Sequence, residues 1–124
     1  MQPIDEPTES RDGYGGESRA APAHRLDRSV RGPAARVVLS GEIDCDCAGV
    51  VEETLMAAVE ERGVRSVVVD LSDLRFMDVR CAGVLLGARR RADQRGVAMN
   101  VAYVSGIPRR VLEILGLYDE LLSS

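Results

Sequence analysis

The chain is predicted to fold as a single α/β domain with a mixed, mostly parallel sheet of about four strands. Short Val-rich runs alternate with helical segments, and this alternation implies parallel strands joined by crossover helices that pack on the sheet. The length of 124 residues fits one domain with one modest core. The expected order of the elements is β-β-α-β-α-β-α.

The beginning of the chain differs in composition from the rest. Residues 1–34 contain four of the five prolines and few large apolar side chains. Such a stretch buries too little apolar surface to offset the conformational entropy that it would lose on folding. We therefore expect residues 1–23 to form a disordered N-terminal tail and residues 24–124 to form the domain.

The strands are predicted from short β-branched or alternating runs. Residues 25–30 alternate weakly, and residues 35–40 are rich in Val, with a turn at residues 31–34 between them. Residues 65–70 contain three consecutive valines, a pattern typical of a strand that is buried on both faces. Residues 97–104 alternate and are expected to form the last strand.

Three helices are predicted from apolar residues at helical spacing. They cover residues 48–62, residues 79–95 and a segment opened by residues 105–108, where Pro108 suits the first turn. The N-cap of the first helix is expected at Asp46 or Cys47, and Asp is the better capping residue of the two.

The composition argues against several classes of function. All 16 basic residues are Arg, so no lysine is available for a Schiff base or a P-loop. A single histidine, His24, disfavours a His-based metal site or a Ser-His-Asp triad. The net charge of −4 disfavours nucleic-acid binding. We therefore predict no metal, no cofactor and no enzymatic activity.

The expected location is the cytoplasm. No apolar run approaches the ~20 residues that span a bilayer, and the N-terminus shows no secretory signal. The three cysteines are an odd number in a chain without the composition of a disulfide scaffold, which favours a reducing compartment.

The segment from Asp70 to Gly83 is the predicted functional region. It contains the connection LSDLRFMD at residues 71–78, which follows the strand with the three valines. Partners and ligands of open α/β sheets bind beyond the carboxyl ends of the strands. The segment also leads directly into a helix N-terminus, where free N–H groups favour an anion.

Several motifs, in a consistent order, resemble the STAS domain family. They are LSGEID at residues 39–44, VVVDLS at 67–72, FMD at 76–78, GVLL at 83–86 and PRRVLEILGL at 108–117. The resemblance implies a STAS fold and, without a membrane span, the soluble anti-sigma factor antagonists of this family. It implies a bacterial regulatory module that binds an anti-sigma factor with serine kinase activity and thereby controls transcription.

The resemblance also implies where the partner binds. In the family the segment usually reads Asp-Ser-Ser/Thr-Gly-Leu-Gly, and the partner phosphorylates the first Ser. This chain reads DVRCAG at residues 78–83, so Val79 occupies the position of the phosphoacceptor and has no hydroxyl. The usual phosphorylation switch therefore cannot operate there. The partner-binding residues implied by the resemblance are Asp44, Asp78, Val79, Arg80, Cys81 and Gly83.

Three consequences of this departure remain open at the level of the sequence. The protein binds its partner without being switched off by phosphate, it binds a different partner because Arg80 changes the surface charge, or it has lost most of its affinity. An alternative function is ligand or redox sensing through Arg80 and Cys81, because a helix N-terminus and a neighbouring Arg favour a thiolate. A carboxylate site formed by Asp44, Asp70 and Asp78 has no accompanying nucleophile or histidine.

Overall fold

A computed structural model describes residues 24–122, and the predicted tail at residues 1–23 lies outside the described residues. The described region forms five strands and four helices. The strands are β1 (His24–Arg31), β2 (Ala34–Ile43), β3 (Ser66–Asp70), β4 (Leu74–Met77) and β5 (Ala98–Ala102). The helices are α1 (Ala48–Glu60), α2 (Val79–Gln94), α3 (Gly106–Ile114) and α4 (Tyr118–Leu122), and a 3₁₀ turn (Cys45–Cys47) precedes α1.

Strand β2 organises the sheet. It pairs antiparallel with β1 and parallel with β3, and β3 pairs parallel with β5. The end of β2 extends past β3 and pairs in parallel with β4. The order is therefore β1-β2-β3-β5, with β4 beside the last part of β2. The prediction of a mixed, mostly parallel sheet is confirmed, and the described region contains one strand more than the four expected.

The additional strand, β4, lies in the segment that the sequence assigns to a connection. Its pairing depends on an irregularity in β2, whose register shifts between Gly41 and Glu42. Gly41 has a φ of +83°, a left-handed conformation that favours glycine, and its N–H donates to the carbonyl of Asp73 at 3.0 Å. The shift lets β2 continue to Ile43, where the sequence indicates that the strand has already ended.

The core lies between the sheet and helices α1 and α2. Val67 and Val69 of β3 are at most 1% exposed, whereas Val68 between them is only half-buried. The expectation that this strand is buried on both faces is therefore wrong for Val68, whose side chain points to the opposite face. The two helices complete the core with buried apolar residues: Val51, Leu55, Val59, Ala82, Leu85, Ala88 and Ala92.

The face of the sheet that carries Val68 also contains a buried carboxylate. Asp70 is 6% exposed, forms an ion pair with Arg36 and accepts a hydrogen bond from the N–H of Ser72 at 2.8 Å. Burial alone would raise the pKa of Asp70, but the bonds from Ser72 and Arg36 outweigh it and the pKa lies below its usual value. The Arg36 guanidinium also lies 5.8 Å from the ring centroid of Tyr103. Asp70 thus forms part of the internal bonding of the sheet.

Candidate partner-binding site

Helix α2 begins at the carboxyl edge of the sheet, directly after β4. Asp78 is its N-cap, and the carboxylate Oδ1 accepts a hydrogen bond from the N–H of Cys81 at 3.0 Å. The N–H of Asp78 donates to the carbonyl of Ile43 at 3.2 Å. The first bond satisfies one of the free N–H groups of the helix start, and the second fixes that start to the end of β2. The carboxylate of Asp78 thus places a negative charge at the helix N-terminus, where the sequence predicts that an anion is favoured.

The first turn of α2 presents an outward surface. Val79 is 62% exposed, and Arg80 and Gly83 are exposed beside it. Arg80 forms no ion pair with any residue between 24 and 122. We call these three residues the α2 surface. An apolar side chain that is held this far out of the core contributes little to folding and is available for contact with another molecule.

Gly83 is not required by the packing of the domain. A Cβ atom added at this position would meet no other heavy atom within 4 Å. Glycine in the middle of a helix costs about 0.5–1 kcal/mol of stability relative to alanine. The absence of a side chain at Gly83 therefore leaves the α2 surface accessible and lowers the stability of the helix. The described contacts give no packing reason for this glycine.

Cys81 points away from the α2 surface, toward the core. It is 2% exposed, and its Sγ donates to the carbonyl of Asp44 at 3.3 Å. Burial, and then the charge and hydrogen bond of Asp78, raise the pKa of the thiol to about 12. The expected thiolate character is therefore wrong, because lost hydration and Asp78 outweigh the helix N-terminus and Arg80. Cys81 connects the end of β2 to α2 and presents little surface to a partner.

Asp44 lies at the same end of the sheet as the α2 surface. Its carboxylate accepts a hydrogen bond from the N–H of Asp46 at 3.0 Å and caps the 3₁₀ turn. The N-cap of α1 is Cys47, whose side chain makes no capping bond, so the preference for Asp46 as the cap was wrong. The Cys47 Sγ lies between Asp44 Oδ1 at 3.6 Å and His24 Nδ1 at 3.2 Å. No sequence signal predicts this link from Asp44 through Cys47 to His24, because it depends on the pairing of β1 with β2.

Asp70 does not join Asp44 and Asp78. It pairs in the sheet with Val38, and Asp44 lies six positions after Val38, one residue past the end of β2 and roughly 20 Å away by strand geometry. The three-carboxylate site considered from the sequence is therefore not formed. Within residues 24–122, no three His, Cys, Asp or Glu side chains are placed to hold a metal ion. None of the helices described here has the length and apolar character to cross a membrane.

The family follows from a direct sequence match. Residues 26–123 match the STAS domain. This chain belongs to the STAS domain family. The anti-sigma F factor antagonist of Paenibacillus polymyxa is 34% identical to this STAS protein over 82 residues, which are 66% of this chain and 70% of that protein.

Solved structures share the fold of this STAS protein. An anti-sigma factor antagonist from Mycobacterium paratuberculosis has a TM-score of 0.69 at 23% identity, over 83% of this chain and 86% of that chain. The anti-sigma factor antagonist SpoIIAA in its unphosphorylated form has a TM-score of 0.67 at 22% identity, over 82% of this chain and 86% of that chain. The predicted STAS fold is confirmed, and the relatives named here are regulatory proteins rather than enzymes.

Proposed function

We propose that this STAS protein is a regulatory module that binds an anti-sigma factor of the serine-kinase type. The α2 surface makes the main contact, with Asp78 and Asp44 at its edge, and no phosphorylation switch operates there. The observation that carries the proposal is the exposed Val79 at a capped helix start, in a chain related to an anti-sigma factor antagonist.

The rigidity of the helix start supports the interpretation that this protein binds a partner, rather than being a degenerate copy that has lost its affinity. The cap from Asp78 and its bond to Ile43 hold the first turn in place, so little conformational entropy is lost when a partner docks. Val79 adds apolar area to the contact, and the charge of Arg80, which has no ion-pair partner among residues 24–122, favours a carboxylate on the partner.

The absence of a phosphorylation switch is argued from the chemistry of the side chains. No residue from 78 to 83 carries a hydroxyl group, and the nearest hydroxyl upstream belongs to Ser72, before β4. In a relative with Ser at this position, a phosphate would add nearly two negative charges beside the carboxylate of the cap and repel a docked partner. With Val79, a kinase partner finds no acceptor and binding persists in the presence of ATP.

The experiment uses serine-kinase-type anti-sigma factors from the source genome, each purified separately. We expect one of them to capture the full chain equally well with and without ATP, and intact-mass measurement to show no added phosphate. Val79→Glu should abolish capture, because the carboxylate places a negative charge where a phosphate would be. Val50→Glu is the matched control, since Val50 is 49% exposed in the first turn of α1.

Two results would contradict the proposal. One is phosphate localised to residues 78–83 of the wild-type chain after incubation with the kinase and ATP. The other is equal capture of wild type and Val79→Glu. The alternative of redox sensing through Cys81 has no support from the site, since the thiol is buried and its pKa of about 12 keeps it protonated.

A further inference from the structure

A groove of about 910 Å³ opens at the carboxyl edge of the sheet, beside but outside the α2 surface. One wall is the start of α3, from Ser105 to Pro108. The floor is formed by residues 40–41 of β2 and by residues 72–75, and His24 and Arg25 close the remaining side. None of the partner-binding residues implied by the family resemblance lines this groove.

The groove combines an apolar wall with a cationic rim. Ile107, in the first turn of α3, is 54% exposed although it is a large aliphatic side chain. The side chains of Arg25 and Arg75 are 75% and 73% exposed at the rim. Arg25 pairs with Asp27 at 2.9 Å. Within the part of the chain that the structure describes, Arg75 pairs with Glu42 alone, at 3.9 Å, which is beyond hydrogen-bond distance. Asp73 is the one acidic residue among those lining the groove.

Two observations place the groove near the α2 surface. Arg75 lies in β4, four positions before Val79, which corresponds to roughly 13 Å of extended chain. His24, at the other end of the groove, lies 3.2 Å from the thiol of Cys47 in the cluster that includes Asp44. A standard interface buries about 800 Å² on each partner, a patch roughly 30 Å across. One partner of ordinary size would therefore cover both regions.

We propose that the groove is a second contact region for the same anti-sigma factor. It receives an apolar side chain of the partner against Ile107, and carboxylates flanking that side chain pair with Arg25 and Arg75. An aliphatic anchor inside a charged rim is the arrangement in which a few residues dominate binding energy while the charges select the partner. This inference rests on the proposed function, because it assigns the same partner to a further surface.

The test measures the dissociation constant for the purified anti-sigma factor that captures the wild-type chain. We expect Ile107→Asp to weaken binding about tenfold or more, because it places a charge where the partner's apolar side chain packs. Arg75→Glu should weaken binding several-fold and reduce its dependence on salt. Ile114→Asp is the control, since Ile114 is 75% exposed on the same helix and does not line the groove. It should bind like wild type.

The outcomes separate the two proposals. If Val79→Glu loses binding while Ile107→Asp and Arg75→Glu bind like wild type, the groove is not a contact region and the proposed function stands. Equal weakening by Ile107→Asp and Ile114→Asp also overturns the groove, because the effect is then not specific to it. If no anti-sigma factor binds the wild-type chain, the proposed function and this inference fall together. Thermal melting of each variant confirms that the fold is retained.

Discussion

Two helices of this domain begin at the same edge of the sheet, and they begin differently. Helix α1 starts at Ala48, which is 4% exposed, after a Cys47 N-cap without a side-chain bond. Helix α2 starts at Val79, which is 62% exposed, after an Asp78 cap that bonds Cys81. The first residue of α1 is thus buried and lacks a side-chain cap, whereas the first residue of α2 is exposed and follows a side-chain cap.

The difference shows how the domain keeps one helix start free for contact. Burial removes the side chain of Ala48 from the surface, although Val50 in the same turn is 49% exposed. At α2, a cap made from within the turn fixes the backbone and leaves the first residue, Val79, exposed. Rigidity and accessibility therefore coexist at α2. The same physical reasoning predicts opposite responses of the two starts to the same chemical change.

Thiol reactivity should give the largest contrast. Because its pKa is about 12, Cys81 at the start of α2 has a thiolate population roughly a thousandfold lower than a thiol at the ordinary value of 9.0. Cys45, before α1, is exposed. We expect iodoacetamide at pH 8 to modify Cys45 first and Cys81 only under denaturing conditions, as read by peptide mass mapping. Modification of Cys81 at the rate of Cys45 in the native protein would show that the start of α2 opens.

Matched substitutions at the first helical residues test burial directly. Ala48→Glu places a carboxylate in the core and should lower the free energy of unfolding by at least about 3 kcal/mol in a urea titration. Val79→Glu adds a negative charge to an exposed helix N-terminus and should leave stability within about 0.5 kcal/mol of wild type or raise it slightly. Equal destabilisation by the two changes would remove the distinction between the helix starts.

The cap of α2 is tested by a pair of substitutions at Asp78. Asp78→Ala should cost about 1 kcal/mol, because it removes the acceptor for the N–H of Cys81. Asp78→Asn keeps a good capping side chain and should retain most of that stability. Urea denaturation of both variants gives the comparison. If both lose the same amount, the charge of Asp78, and not its hydrogen bond, stabilises the helix start.

The glycines in the two helices give the smallest effect on stability. Gly83→Ala should raise the free energy of unfolding by about 0.5–1 kcal/mol, since its Cβ meets open space in α2. Gly49→Ala in α1 also meets open space and should stabilise by less, because this position is near the helix end. Only Gly83→Ala should weaken capture of an anti-sigma factor. A variant more stable than wild type that binds less well would separate contact from folding.

Local patterns predict most of the elements, but they fail where distant parts of the chain meet. The helices and the Val-rich strands follow from periodicity, and the choice of Asp78 and Val79 as candidate residues follows from the family resemblance, which no finding tests. Strand β4 does not, because its four residues lack alternation and it exists through pairing with the end of β2. The predicted thiolate character of Cys81 was wrong for a related reason. The position of Cys81 in the helix and the neighbouring charge can be read from the sequence, but its burial cannot.

Other contacts of the candidate site also depend on residues that are distant in the sequence. The bond from the thiol of Cys81 to Asp44 spans 37 positions, and the contact between Cys47 and His24 spans 23. Neither residue pair carries a recognisable motif. The groove at Ile107 likewise arises from four separate segments, which only the assembled sheet brings together.

The central position of β2 affects how mutational scans of this protein should be interpreted. The strand pairs with β1, β3 and β4, and its last residue, Ile43, accepts the hydrogen bond that anchors the start of α2. Substitutions along β2 are therefore expected to reduce partner capture even at residues that do not contact the partner, because a distorted strand displaces the start of α2. Abundance measured in parallel will separate these variants from substitutions at the proposed contact residues of the α2 surface.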